Sequence, residues 1–234
     1  MLPFIFLTLT GYEIMKKVDS IPVPKTSYSS VRMIIKKDGE SRERKMNIYT
    51  KEEGGKRYSA SKFLEPADVR GTAFLQISSD GNTQQFLYLS SLKKTRRISG
   101  GQKKTSFMGS ELTYEDLERK NPDDYDHNLI KEENDLYVVE SFPKKGVESQ
   151  YSKALFYVRK SDYFVVRTEL FDKDGKMVKL IENTSGNVEG YIVPTVTKVK
   201  NLQNGNETEL IVDEIKVNVN LDNKYFSESM LGNW

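Results

Sequence analysis

From residue 26 to residue 219 the chain alternates apolar and polar side chains in runs short enough to be strands. Val31, Met33 and Ile35 share one face, and Arg32, Ile34 and Lys36 take the other. Phe164, Val166, Thr168 and Leu170 oppose Val165, Arg167, Glu169 and Phe171, and Ile211, Ile215, Val217 and Val219 line up with Asp213 as the exception. A period of two with one apolar and one solvated face predicts antiparallel sheet. Between such runs sit Asp38-Gly39, Asp80-Gly81, Asp174-Gly175 and Asn204-Gly205, dipeptides that supply the positive φ angles of tight hairpin turns. Crossover helices for parallel pairing have little room, so a meander is expected. Turn spacing gives about ten or eleven strands, within residues 26–50, 56–64, 72–98, 125–142, 152–172, 176–200 and 207–219.

Helical patterning is sparse. Residues 12–18 place Ile14, Met15 and Val18 at helical spacing before Asp19 and Pro22. Residues 64–69 read as a single turn, and residues 113–120 as a short helix with Thr113 and Asp116 as a capping pair, Glu115 and Arg119 one turn apart, and Asn121-Pro122 as its stop. So few helices cannot cover the apolar face of a long sheet. A closed barrel, a two-sheet sandwich or a curled half-barrel under a lid would each solve that problem.

Composition narrows the class. Thirty-six basic and 34 acidic side chains leave a net charge of +2 over 234 residues, which gives no overall pull toward nucleic acid or an anionic membrane. Thirteen Tyr and 11 Phe against one Trp and one His favour strands. The absence of cysteine excludes disulfides, thiol catalysis, cysteine-ligated metals and an N-terminal lipidated cysteine. The opening run MLPFIFLTLT fits the core of a secretory signal and is too short to span a bilayer. Residues 1–11 are therefore read as a signal-peptide remnant, and residues 12–234 as one domain that is exported and is not integral to a membrane.

Catalytic grammar is missing: there is no nucleophile elbow, phosphate-cradling loop or metal spacing, so no catalytic residue, metal or cofactor is expected. The run Asp123, Asp124, Asp126 lacks the order of a calcium loop and reads as a turn feeding a strand. His127, alone, makes neither a triad nor a zinc site. Lys93, Lys94, Arg96 and Arg97, followed by Lys103 and Lys104, put six positive charges in twelve residues. Nucleic-acid phosphates, lipid headgroups, a partner protein, or a solvated edge guarded against aggregation each suit such a cluster, though a near-neutral domain lacks the basic excess of nucleic-acid binders. Phe107-Met108-Gly109-Ser110, an apolar knuckle beside a Gly-Ser hinge, reads either as ordinary core under a loop or as the edge of a mobile lid.

The line YLSSLKKTRRISGG, followed by SFMGSELTYEDL, resembles the signature of the outer membrane lipoprotein-sorting proteins of the LolA-like group. FLEPADVRGTAFL over 63–75, NPDDYDH over 121–127, Tyr151-Ser152-Lys153, the hairpin at 172–179 and residues 190–194 follow in the same order. Ser90-Ser91 stands where relatives carry a proline after Tyr-Leu, and Glu111 where aspartate is usual. The resemblance implies a mostly β, single antiparallel curved sheet, a half-barrel around an apolar cavity with a few short covering helices. It further implies a periplasmic, non-enzymatic carrier of lipid or acylated lipoprotein cargo, with acyl chains as ligand and an inner-membrane exporter and an outer-membrane acceptor as partners. An envelope protein-binding or sensing module is the alternative, and a hydrolase the third reading. On this basis the cavity and lid candidates are Met33, Ile35, Phe63, Phe74, Phe86, Tyr88, Phe107, Met108, Leu155 and Tyr157. The headgroup or partner contacts are Lys93, Lys94, Arg96 and Arg97.

Overall fold

The computed structural model describes residues 9–79 and 81–234. The apolar opening run lies almost wholly outside them, as does Asp80. Chain order begins with helix α1 (Gly11–Asp19), then β1 (Thr26–Lys37), β2 (Glu40–Glu53), β3 (Lys56–Glu65), β4 (Ala73–Ser79), β5 (Asn82–Leu89) and β6 (Lys94–Ile98). A long connection follows, and then β7 (Tyr125–Glu133), β8 (Leu136–Pro143), β9 (Lys153–Arg159), β10 (Val165–Phe171), β11 (Met177–Val188), β12 (Tyr191–Asn201) and β13 (Glu207–Val217).

Among the described residues thirteen strands form one antiparallel sheet in the order β6-β5-β4-β3-β2-β1-β13-β12-β11-β10-β9-β8-β7. The strand-bearing segments agree with the alternation, but their number exceeds the expected ten or eleven. Turns without an Asp-Gly or Asn-Gly pair divide several of them, among them Asn134-Asp135 and Glu189-Gly190. At Asp38-Gly39 both φ angles are positive (52° and 81°), as the mirror-image hairpin turn requires.

The order carries one consequence for function. The chain runs outward from β1 to one edge, β6, and must then reach the opposite edge, β7, before returning to pair β13 with β1. Residues 99–124 make that passage, and they do so across the inner face of the half-barrel, where Phe107, Leu112 and Tyr114 join the core with Met33, Ile35, Phe63, Phe74, Leu87 and Val199.

Residues 113–120 do not form a helix, although Thr113 and Asp116 make the reciprocal capping bonds (2.7 and 3.3 Å). Glu115 and Arg119 do not pair with each other: Glu115 accepts bonds from Ser149 and Gln150, and Arg119 bonds Asp19. The single turn expected at 64–69 is present over residues 66–70, where the Arg70 N–H donates to the Pro66 carbonyl (3.0 Å), while Leu64 and Glu65 still belong to β3. Along β13, Ile211 does not share a face with Ile215. A bulge at Asp213 switches the side, so Val212, Leu210 and Thr208 lie opposite Val31, Met33 and Ile35, while Ile215 and Val217 lie opposite Ser29 and Ser27. Arg32 holds the bulged residue with a forked pair of bonds to the Asp213 carboxylate.

Helix α1 begins a residue earlier than the pattern predicts. Thr10 caps it, and Thr10 and Glu13 exchange the two bonds of a capping box. It lies against β7 and β8 so closely that a Cβ on Gly11 would stand 2.7 Å from backbone atoms of Asn128 and Leu129. Ile14 and Met15 pack there on Val139 and Val158. The outer face over β3–β5 is closed by the C-terminal tail, where Phe226 and Leu231 cover Ala60, Leu75 and Phe86, and Tyr88 and Trp234 pack alongside.

Candidate functional site

Cross-strand register puts Leu129, Val139, Phe156, Thr168, Ile181, Val199, Thr208 and Ile35 in one row across the inner face. Where this row meets the N-terminal strands, the connecting segment fills the concavity with rings. Phe107 contacts Phe74, Tyr114 and Phe63 at centroid distances of 5.1, 5.6 and 6.0 Å. Over β7–β11 the same segment no longer fills the space, and a cavity of about 230 Å³ remains. Its floor is apolar, made by Ala154, Phe156, Leu170 and Ile181, with Met15 from α1 and Pro122, Tyr125 and Tyr151 around it.

The roof is fastened by charge. Asp116, 1% exposed at its side chain, pairs with Lys179, 7% exposed. The Tyr151 hydroxyl donates to Asp116 Oδ1 (2.7 Å) and accepts from Lys179 Nζ (3.0 Å). The buried Glu115 carboxylate accepts from the backbone N–H of Gln150 (3.0 Å) and from Ser149. Glu111 accepts from Asn201 Nδ2 (2.7 Å), and its N–H donates to Thr208 Oγ1 (2.9 Å). A buried carboxylate is tolerated only when paired and hydrogen-bonded. Asp116 is, with Lys179, and Glu115 is, with Lys120 at 3.9 Å; together with the half-buried Glu111 they hold residues 111–116 to β11, β12, β13 and the segment before β9. Burial, with the carboxylates of Asp116 and Glu115 nearby, drives the Tyr151 phenol far above its ordinary range, so it is neutral and available to donate. Tyr125 is raised for the same first reason.

His127 borders the cavity as a spacer between β7 and β8. Its Nε2 donates to the Pro122 carbonyl (3.0 Å), which leaves Nδ1 to accept from Ser141 Oγ (2.6 Å). Burial lowers its pKa. A serine nucleophile needs an exposed oxygen and donors for the developing oxyanion. Ser141 is 1% exposed in mid-strand, so the pair is a polar staple. Among the described residues no three His, Asp or Glu side chains gather as a metal site. Also among them, no helix is long and apolar enough to cross a membrane.

The sequence-derived candidates separate into three groups. Met33, Ile35, Phe63, Phe74 and Phe107 come together in one buried cluster with Met108 packed against it. They adjoin not the larger cavity but a smaller cleft of about 120 Å³, lined in part by Met33, Phe74 and Phe107. Phe107 is 4% exposed, a plug inside the core and not a lid edge. Phe86 and Tyr88 lie on the outer face under the C-terminal tail. Leu155 and Tyr157 have the parity opposite to Ala154 and Phe156, and Tyr157 turns outward to meet Arg167 and Glu169. The basic set occupies the β6 edge: Lys93 sits in the turn with φ at 50°, and Lys94, Arg96 and Arg97 are all exposed. The residues missed, Ala154, Phe156, Leu170, Ile181, Tyr151 and Met15, carried only a parity signal, which becomes readable once Val139 is known to face α1.

Comparison with known proteins agrees with this architecture. A family model described as "-like: Uncharacterized protein" matches residues 55–233. Comparison with curated proteins gives no match. Among solved structures, a DUF1329 family protein from Desulfovibrio piger is 33% identical, with a TM-score of 0.89 over 94% of this chain and 97% of that one. An outer membrane lipoprotein-sorting protein domain from Vibrio parahaemolyticus is 30% identical, with the same TM-score over 95% of this chain and 98% of its own. A LolA superfamily protein from Nitrosomonas europaea, at 23% identity and a TM-score of 0.69 over 95% and 99% of the two chains, shares the fold. The half-barrel, the single inner-face passage and these similarities together place the chain in the outer membrane lipoprotein-sorting, LolA-like family.

Proposed function

We propose that the protein is a periplasmic carrier that takes an acyl chain of a lipid or lipoprotein into the cavity over β7–β11 and releases it unchanged. The observation that carries this reading is the hollow itself: an apolar floor with charged groups only in its roof and rim, in a family whose members include a lipoprotein-sorting domain. An acyl chain needs no specific polar chemistry, because burial yields about 0.8 kcal/mol per methylene, reduced by the cost of association. At about 230 Å³ the cavity lies just under the ~300–1,000 Å³ of ordinary small-molecule pockets, and above the ~150 Å³ that suffices for benzene. It therefore takes part of a long chain as it stands, and the whole of one only when residues 105–121 shift. Handing cargo from an inner-membrane exporter to an outer-membrane acceptor is the role such a reversible pocket fits.

The test is titration of the full chain with a fluorescent fatty acid, followed by recovery of the ligand. Stoichiometric binding, unchanged ligand, and loss of binding in Ala154→Trp, which fills the floor, are expected. Binding that survives in a folded Ala154→Trp protein, or turnover of an ester analogue, would sink the proposal.

A further inference from the structure

The near-neutral total hides a strong local excess. Residues 66–110 contain seven basic and two acidic side chains, net +5 in a chain of net +2, so the remainder is net −3. Six of the seven follow one another from Lys93 to Lys104, on and just beyond β6, an edge strand of the sheet. Seven consecutive residues, 91–97, are exposed. Lys103 is tied to Glu118 (2.6 Å) and Arg96 lies at the Tyr114 hydroxyl. Among the described residues no carboxylate pairs with Lys93, Lys94, Arg97 or Lys104.

At the tip of this edge stands Leu92. It is 62% exposed, more than any other large apolar side chain among the described residues. The turn that presents it is ordered, with the Leu92 N–H donating to the Leu89 carbonyl (3.1 Å), Leu89 paired to Lys94, and Lys93 at a φ of 50°. An apolar tip followed directly by two lysines, on an edge with further unpaired cations, combines the two signals that hold a protein reversibly to an anionic bilayer. We propose that the β5–β6 turn and the β6 edge form a docking surface for anionic lipid membranes, with Leu92 entering the interface and Lys93, Lys94 and Arg97 meeting headgroups.

Other polyanions fit the geometry less well. Single-stranded nucleic acid requires exposed rings to stack on. Phe86 and Phe107 are 5% and 4% exposed, and Tyr88 is closed over by the tail so tightly that a Cβ on Gly232 would lie 2.6 Å from its ring. An acidic peptide favours a groove, whereas here Lys94 and Arg96 project from one face of β6 and Arg97 from the other. A plane meets both faces of an edge at once, and Leu92 gains only from an apolar interior. The docking edge runs directly into residues 99–124, the segment that roofs the cavity. The inference nonetheless does not depend on the cavity, and vesicles test it without any acyl ligand.

The experiment is co-sedimentation of the full chain with phosphatidylcholine vesicles, with and without phosphatidylglycerol, over a salt series. Binding only to the anionic vesicles, weakening as salt rises, is expected. Each cation near the surface contributes about a fivefold factor, so Lys93→Glu/Lys94→Glu/Arg97→Glu loses two orders of magnitude or more. Leu92→Ser removes three apolar carbons and loses between about fourfold and sixtyfold, according to how many of them reach the bilayer interior, with its salt dependence unchanged, since each buried methylene contributes about fourfold. The matched reversal Lys36→Glu/Lys37→Glu/Lys176→Glu, remote from β6, keeps most of the binding. Absence of binding to anionic vesicles, an unaffected β6 variant, or equal loss in the remote variant overturns the proposal. So does binding of the wild type to poly-glutamate but not to vesicles, which would assign the edge to an acidic protein partner.

Discussion

Replacing Lys179 by methionine removes the cation from a site where both charged partners are almost wholly withdrawn from water, at 7% and 1% exposure. The Asp116 carboxylate then keeps the Tyr151 hydroxyl and the Thr113 N–H as donors but loses its counter-charge. Breaking a buried pair from one side costs about 3–5 kcal/mol. In a chain of this size each kcal/mol moves the melting temperature by roughly 2–4 °C, so Lys179→Met is expected to melt roughly 6–20 °C lower. Asp116→Leu should cost about as much. The double variant should cost far less than the sum, because a pair exchanged for apolar groups of similar shape is close to neutral; what remains is the unsatisfied Tyr151 hydroxyl and Thr113 N–H, about 1–3 kcal/mol each at most. The assay is urea unfolding followed by far-UV circular dichroism and by the fluorescence of Trp234, arranged as a double-mutant cycle. Coupling of about 3 kcal/mol between the two positions is the expected result. If Lys179→Met loses under 1 kcal/mol, and the two substitutions add, the pair is not the fastener of the roof described above.

Three further outcomes follow from the same geometry. Phe107→Ala, which empties the centre of the aromatic plug, should cost about 3–5 kcal/mol in urea unfolding; a loss below 1 kcal/mol would make residue 107 a mobile cover after all. Because burial holds the His127 pKa below the ordinary 6.5, the unfolded chain takes up a proton first as pH falls. Stability should decline below about pH 6.5 and level off once the folded-state pKa is passed, and His127→Gln should lack that component in unfolding curves taken between about pH 7 and 5. Gly11→Ala drives a Cβ into the β7 backbone at 2.7 Å, so α1 should detach or shift, read as faster amide exchange at Ile14 and Met15 than in the wild type.

How much of this was legible beforehand depends on whether the contacts that shape each element are local. Hairpins were legible, since Asp38-Gly39 takes two positive φ angles, Gly175 and Gly205 take one each in their turns, and the alternation of Val31, Met33 and Ile35 needs only a pleat. Helix α1 was legible for the same reason. The passage over 99–124 was not. Thr113 and Asp116 do make the capping bonds their spacing implies, yet residues 113–118 turn instead of winding on, because Asp116, Glu115 and Glu111 are held by Lys179, Gln150 and Asn201, all distant in sequence. Parity failed where both faces of a strand are apolar. In β5, Phe86 and Tyr88 look as suitable for a cavity as Leu87, and only the tail of Phe226 and Leu231 makes their side the outer one. In β9 the adjacent rings Phe156 and Tyr157 must face opposite ways, and nothing within 153–159 says which faces inward. Asp213 shows the converse: a polar residue breaking an apolar series marked the bulge, where the alternation itself changes side.

The cavity exists because one segment meets the two halves of the sheet with different chemistry. From Phe107 to Tyr114 it presents rings and Leu112 to the N-terminal strands, and the interior closes to ordinary core. From Glu115 to Asn121 it presents carboxylates, Lys120 and Asn121, groups that must seek partners at the rim and cannot fill an apolar floor. Leaving such a space unfilled forgoes roughly 24 cal/mol per Å³. For about 230 Å³ that is on the order of 5 kcal/mol, an upper figure because the space is partly open to water. Folding alone would favour one more leucine in place of Glu115 or Lys120 and a closed core. An acyl segment entering the space would recover part of the same energy through the same contacts, and the hydrogen bonds that fasten the roof to the neutral side chains of Asn201 and Thr208 can be exchanged for water at modest net cost. A stable half that is filled and an adjacent half that is hollow, joined by a roof whose holdings are polar, is the distribution that the proposed uptake and release of an apolar ligand would need.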